Sequence, residues 1–345
     1  MRISTRCFNL AILLLLTASL LPAQSSSAVS GQSQPDILSL DVVVTGHKGL
    51  PVAGLTKSDF TVLDNGIPQK ITSFQPMTGK ASPVEVIIIV DDVNTGYFKL
   101  PYERQEMEKF FQANGGKLPY PTSLEIFTDA KSKILQNYTQ DGALLSAALA
   151  HHPISQRPIR RSGGAAGDAD RYVLSLKMLN QVIQSEGMAS GRKIMLWVSP
   201  GWPLLNGPGN SLSKSNQQVM FNDLEGFTSN LRKNQITLYA LNPDGLSDKD
   251  DFDFDQFLKP VRKFRRIQYG NLSLQALTLH SGGLILGWSN NISGLMQKVM
   301  NDMQNFYQLT YTAPASQPDV YHAIQIKIAK PRLKARTTTG YYSGY

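Results

Sequence analysis

A polar cluster, Asp91-Asp92-Val93-Asn94-Thr95, follows directly on a run that is apolar from Val84 to Val90 except for Glu85. Aspartate, asparagine and threonine present hard oxygens. Several of them on one loop would suit Mg²⁺ or Ca²⁺. The same residue types also make Asx turns and cap the helix that follows, so the cluster has a purely structural reading too.

Other chemistry-bearing residues are more dispersed. Asp251-Phe252-Asp253-Phe254-Asp255 has the D-x-D-x-D opening of an EF-hand loop, but Gln256 and Arg262 stand where that loop needs Gly and Glu. Lys259, Arg262, Lys263, Arg265 and Arg266 follow it. Acidic-then-basic order predicts a helix whose macrodipole is complemented at both ends, or else an electrostatic docking patch. Arg157, Arg160 and Arg161, with Gly163 and Gly164, form a second basic segment that reads as a mobile surface loop. It has no G-x-x-x-x-G-K-[ST] spacing, so it is not a phosphate loop. His47, His151, His152, His280 and His322 show no metal spacing, and His280 reads as a helix-end residue. No G-x-S-x-G elbow occurs, and no G-x-G-x-x-G follows the first buried strand. Nothing in the chain argues for catalysis.

These residues need elements to position them. A run such as Val84 to Val90 is expected of a strand buried on both faces of a parallel sheet. Further strands are expected at 123–127, 194–198, 236–241 and 284–286, with helices near 102–112, 142–150, 169–186, 214–233 and 271–281. Ile292, Leu295, Met296, Val299 and Met303 mark a last helix, capped near Asn290 or Asn291. Strands alternating with helices predict an α/β fold with a doubly wound, mostly parallel sheet over residues 83–304. Ligands of such sheets bind outside the carboxyl ends of the strands, where Asp91 lies.

Both flanks are β-rich. Residues 36–78 carry a strand at 37–44, a turn at 46–49, a strand at 59–64, an Asn65-Gly66 hairpin signal and a return strand at 69–74. Residues 305–345 carry three strands, at 306–312, 321–329 and 333–340. Neither flank has a helix to cover it, and about 40 residues are few for an independent core. The two are expected to pack together as a small β-sandwich, with the α/β domain inserted between them; separate packing on that domain is the other possibility.

The N-terminus reads as an export signal. Arg2 and Arg6 precede an apolar stretch from Phe8 to Leu21, too short to span a bilayer comfortably, and small residues follow to Ala28. An uncleaved anchor is the alternative. Residues 1–28 are therefore assigned to the signal and 29–35 to a linker. Removal of the signal takes Cys7, the single cysteine, which leaves no thiol chemistry and no disulfide. It also takes Arg2 and Arg6, and lowers the net charge from +8 to about +6. Charged residues are 17% of the chain and hydrophobic ones 41%, which excludes a disordered, charge-rich protein. For an exported basic chain, a protein or an anionic envelope polymer is the expected partner rather than nucleic acid.

The chain resembles the VWFA-related domain family of acidobacterial type, similar to von Willebrand factor A domains. The resemblance rests on Val42-Val43-Val44-Thr45-Gly46, Gly54-Leu55, Asp59-Phe60 and Asp64-Asn65-Gly66. Further matches are Thr139-x-Asp141, Gly191-Arg192-Lys193 to Ser199-Pro200-Gly201, Leu238-Tyr239-Ala240-Leu241 and Ser281-Gly282-Gly283. The last are Tyr307-x-Leu309-x-Tyr311 and Gly340-Tyr341-Tyr342. It implies a secreted adhesion or interaction module with a metal-ion-dependent site at the strand ends. Asp91-x-Val93-x-Thr95 stands where the family has D-x-S-x-S, so Asp91, Thr95, Asp92, Asn94 and Ser199 are the implied ligands of Mg²⁺ or Ca²⁺. The pattern is degenerate. Val93 cannot coordinate, Ala165 stands where a threonine is expected, and Pro200 replaces the acidic residue after Ser199. Two further readings are an envelope-assembly module that pairs strands through residues 37–45, and a hydrolase with an unrecognised site.

Overall fold

The computed structural model describes residues 36–78, 84–129, 132–154, 163–187, 191–205, 211–244, 254–287 and 289–344. The expected signal, the linker and Arg157, Arg160 and Arg161 lie outside the described residues, as do Asp251 and Asp253.

The first segment forms β1 (Ile37–Thr45), β2 (Phe60–Asp64), β3 (Ile67–Gln69) and β4 (Ile71–Thr78). Asn65 and Gly66, with φ of 48° and 82°, make the tight turn between β2 and β3. Positive φ at both central residues gives the turn a twist that matches the strands, which explains Asn-Gly here. The return strand expected at 69–74 is instead two strands. β3 pairs with β2, whereas β4 leaves for another sheet.

The middle of the chain runs β5 (Val84–Asp91), α1 (Leu100–Gln112), β6 (Lys117–Phe127), β7 (Ser132–Asp141), α2 (Gly142–Ala150), α3 (Gly164–Glu186), β8 (Arg192–Val198), α4 (Lys214–Lys233), β9 (Ile236–Leu241), α5 (Leu274–His280), β10 (Ile285–Leu286) and α6 (Ile292–Asp302). Its sheet has the order β10-β9-β8-β5-β6-β7, parallel throughout except for the antiparallel edge β7. This is a doubly wound sheet. Val86, Ile88 and Val90 face α1, α2 and α6, while Ile87 and Ile89 face α3, α4 and α5. Burial on both sides is why β5 is a continuous apolar run. β7 was not expected: its residues are mostly half-exposed or exposed, and they show no alternation. Asn291 caps α6 as expected, its Oδ1 accepting the Gly294 N–H at 2.8 Å. In the described part of 251–266 the expected continuous helix does not form. The described part holds only single 3₁₀ turns at Phe254–Phe257 and Phe264–Arg266, with Pro260 between them.

The tail adds β11 (Asn305–Thr312), β12 (Tyr321–Ile328), β13 (Lys334–Arg336) and β14 (Gly340–Tyr342), so the strand expected at 333–340 is also two. Two four-stranded sheets result, β13-β1-β11-β4 and β14-β12-β2-β3. Each mixes N- and C-terminal strands. Leu38, Leu40, Val42, Tyr307, Leu309 and Tyr311 of the first sheet share a core with Phe60, Val62, Ile324 and Tyr341 of the second, which makes a β-sandwich. β1 is an inner strand, paired with β11 through residues 37–42 and with β13 through 43–45. Helices do reach the sandwich strands: Phe221 of α4 stacks edge-on against Tyr342, and Val43 of β1 and Phe306 of β11 share a core with α6.

Candidate functional site

The chain goes from β5 to β6 on one side and later to β8 on the other, so the winding reverses between β5 and β8. The crevice outside the carboxyl ends of those two strands is the expected ligand position in a doubly wound sheet. Asp91 ends β5, and Ser199 follows β8.

Asp91 is fully buried and its carboxylate is surrounded by donors. Oδ1 accepts the backbone N–H groups of Val93 at 3.1 Å and Asn94 at 2.9 Å. Oδ2 accepts the Asn94 amide at 2.8 Å and the Trp197 indole N–H at 2.9 Å. Burial raises the Asp91 pKa, while the bonds from Asn94, Trp197 and Ser199 hold it down. Trp197 stacks edge-on against Trp202, which is itself buried, and Val93 packs in the same apolar layer. Both indoles belong to the apolar layer shared with α3, α4 and α5. Asn94 also reaches Ser175 of α3 at 2.9 Å, so the loop is tied to strand and helix alike.

Asp92 points the other way, toward α1. It is fully buried and pairs with Arg104 at 3.1 Å. Arg104 also donates to the His152 carbonyl at 2.5 Å. Glu103 is fully buried beside them, and burial pushes its carboxyl well above the usual range, aided by the charges of Asp92 and Asp91. Arg104 and the Thr95 hydroxyl oppose that rise. Thr95 is fully buried. Ser199 is buried, its Oγ accepting the Gly201 N–H at 3.1 Å.

The structure therefore brings Asp91, Asp92, Asn94, Thr95 and Ser199 into one neighbourhood, but not into a cation cage. A carboxylate has about four acceptor positions, and four N–H groups take those of Asp91. Donor hydrogens facing a carboxylate repel a cation there, and Val93 supplies no oxygen. Ala165, at the exposed start of α3, supplies none either. Among the described residues no group of three His, Cys, Asp or Glu side chains is arranged to hold a metal ion. The set does not fit a divalent ion.

What the loop does expose is aromatic. Gly96–Lys99 is a turn closed by the Lys99 N–H on the Gly96 carbonyl at 2.8 Å, with Tyr97 and Phe98 at its two central positions. Phe98 is 93% exposed and Tyr97 43%, and their rings meet edge-on at 5.8 Å. The Tyr102 hydroxyl, one turn into α1, donates to the Asn290 carbonyl at 2.5 Å and fixes the helix start against the α6 side. Tyr97 and Phe98 were not among the residues singled out from sequence. Two adjacent aromatics immediately after a strand-end polar cluster are the signal that could have found them.

A second buried aspartate was missed as well. Asp64, in the hairpin motif, receives His322 Nδ1 at 2.7 Å on one oxygen and the hydroxyls of Tyr311 and Tyr341, both at 2.9 Å, on the other. The neighbouring Asn65 exchanges bonds with the Ala323 backbone. The Tyr307 hydroxyl accepts from Leu55 N–H at 3.1 Å and donates to the Val52 carbonyl at 2.8 Å. The residues behind the family resemblance at both ends of the chain thus meet in the sandwich interior and act as staples. His280 is the helix-end residue expected: it closes α5, and burial lowers its pKa to about 4.

No protein-family model matches the sequence, and no curated protein matches it. Among solved structures, the chain is similar to proximal thread matrix protein 1 from the mussel byssus (12% identity, TM-score 0.39, 76% of this chain and 50% of that one). It is similar to the manganese-loaded TRAP protein of Plasmodium vivax (8% identity, TM-score 0.35, 78% and 97%). It is also similar to the pilus adhesin SpaC of Lactobacillus rhamnosus GG (9% identity, TM-score 0.39, 87% and 48%). The chain spans about half the length of the mussel protein. At such scores the fold rests on the strand order itself.

Proposed function

We propose that the chain is a secreted, non-enzymatic interaction module that binds a protein or an anionic envelope polymer at the strand-end face of its α/β domain. The observation that carries this reading is Phe98, almost wholly exposed at the tip of a turn whose root is locked by the buried Asp91 network. A rigid, exposed aromatic costs little order on binding and is the residue type that anchors interfaces. The face is also where doubly wound sheets place their ligands. The sequence resemblance to A-type domains supports the same face, and the net charge of about +6 left after removal of the signal suits an anionic polymer.

The test is affinity capture from the native envelope with the full chain, Phe98→Ala and Tyr97→Ala/Phe98→Ala, each with and without EDTA. Loss of an interface anchor weakens binding roughly thirtyfold or more. Capture unchanged in the double variant would end the proposal.

The second reading, strand pairing in envelope assembly, must move from residues 37–45 to another edge. β1 is internal, whereas β4 is an eight-residue strand at the end of its sheet. Pro76 and the preceding Lys70 blunt that edge, as protected edges do. Ser73→Lys/Gln75→Lys would abolish assembly on this reading and leave capture through Phe98 intact.

A further inference from the structure

At the opposite end of the parallel sheet from Asp91, a cavity of about 30 Å³, half open to solvent, lies where the sandwich meets the α/β domain. Its walls are the last turn of α4, the start of β9, the middle of β1 and the link between β13 and β14. Arg232 is the cation of this lining. Its Nε and Nη2, side by side on one edge of the guanidinium, are buried and have no hydrogen-bond partner among the described residues. The Tyr341 ring, its centre 5.7 Å from Cζ, gives the charge a weak partner but no oxygen. Burial lowers the Arg232 pKa; Asp36, Tyr311 and Tyr341 act the other way and do not make up the difference. The Thr337 hydroxyl of the same lining is also buried without a partner. Asp41, the one carboxylate among the lining residues, is taken by Arg192 at 3.5 Å and by the Gln308 amide at 3.4 Å. Two parallel N–H groups beside an uncommitted hydroxyl are a donor set that an anion fits.

We infer that this cavity binds a small inorganic anion, held by the side-on edge of Arg232 with the Thr337 hydroxyl as a third donor. The volume sets the class. A water needs about 10–15 Å³, so there is room for a halide or for the leading oxygens of sulfate or phosphate, and none for an organic ligand. The guanidinium edge favours the oxyanions, which can take both N–H groups at once. The anion ties the end of α4 to the link between β13 and β14, and so the α/β domain to the sandwich. The inference is independent of Phe98, which belongs to the strand-end face.

The experiment is thermal unfolding of the full chain at constant ionic strength in sodium gluconate, chloride, sulfate or phosphate. Gluconate is too bulky to enter and serves as the reference. Excluded salts such as sulfate raise every Tm without saturating, so the readout is the saturable part that differs between the wild type and Arg232→Met. The wild type should gain roughly 2–5 °C once the anion exceeds its Kd about tenfold, most of all in sulfate or phosphate. Arg232→Met should gain none of it. In gluconate its Tm should equal or exceed the wild type's, because it removes a buried charge that has no counter-ion there. Thr337→Val should weaken the anion roughly fivefold. A wild-type Tm no more anion-dependent than that of Arg232→Met overturns the inference. So does a loss of Tm in Arg232→Met that is the same in all four salts, the mark of a purely structural arginine. Should that variant not fold, calorimetric titration of the wild type with sulfate and with chloride decides the matter. One-site binding that Thr337→Val weakens supports the site, and no saturable binding overturns it.

Discussion

Asp64 in the sandwich and Asp91 at the strand ends look alike in sequence, each closing a β-strand and leading into a turn. Their partners differ. Asp91 is satisfied mostly by its own loop, two and three residues away, plus one indole from the adjacent strand. Asp64 is satisfied by Tyr311, His322 and Tyr341, all more than 240 residues away. The local network shapes a surface, and the long-range network closes a fold. A buried aspartate after a strand is therefore not a binding site in itself; the origin of its donors decides what it does.

Four measurements can break or sharpen that contrast. The largest effect should come from Asp64→Ala, which strands three buried partners at once. Breaking a buried charged network costs about 3–5 kcal/mol, and chemical denaturation of the full chain should show the sandwich and the α/β domain both weakened. Asp91→Asn keeps the shape but turns an amide toward N–H donors. It should cost about 2–3 kcal/mol and should change the near-UV signal of Trp197, which Asp64→Ala at equal unfolded fraction should not. If the two variants cost the same and give the same spectral change, the division into local and long-range networks fails.

The third measurement concerns pH. Glu125 of β6 is buried in the α/β domain near Glu186, and burial, then the Glu186 charge, raises its pKa to about 7. A carboxyl raised on folding binds its proton more tightly in the folded state. Its contribution is full below the unfolded pKa of about 4.5, declines as pH rises toward 7, and is then lost. Glu125→Gln should flatten that slope and stabilise the protein above pH 7 by about 2–3 kcal/mol. An unchanged slope would mean that the pH dependence lies elsewhere, the sandwich included. The smallest effect on stability should be that of Phe98→Ala, within about 0.5 kcal/mol as for other exposed side chains. The same change is the one expected to remove binding, so stability and recognition should separate cleanly at this residue.

Local patterns made much of the α/β domain readable. The amphipathic α4, the Asn291 cap and the apolar β5 each depend on neighbours in the chain. β7 was invisible because an edge strand half-exposed on both faces has no period of two. The destination of β4 was invisible because Ile71–Thr78 pairs with Asn305–Thr312, a choice no local rule makes. The acidic-to-basic stretch misled because charge order favours a helix only where the backbone can continue one, and Pro260 interrupts it. At the site, the residue positions were readable but their role was not. Trp197 reads as one more apolar strand residue, yet its N–H takes the acceptor position a cation would need.

Thr78 and Asn305 are register partners, so the whole α/β domain leaves and rejoins the sandwich at one point. This has a consequence for the order of folding. β1 to β4 precede the α/β domain in the chain, but every sheet they belong to needs strands from residue 305 onward. The α/β domain can complete its own sheet while the N-terminal strands wait, their apolar faces uncovered. The sandwich therefore cannot close until residues 305–342 are available, wherever the chain folds.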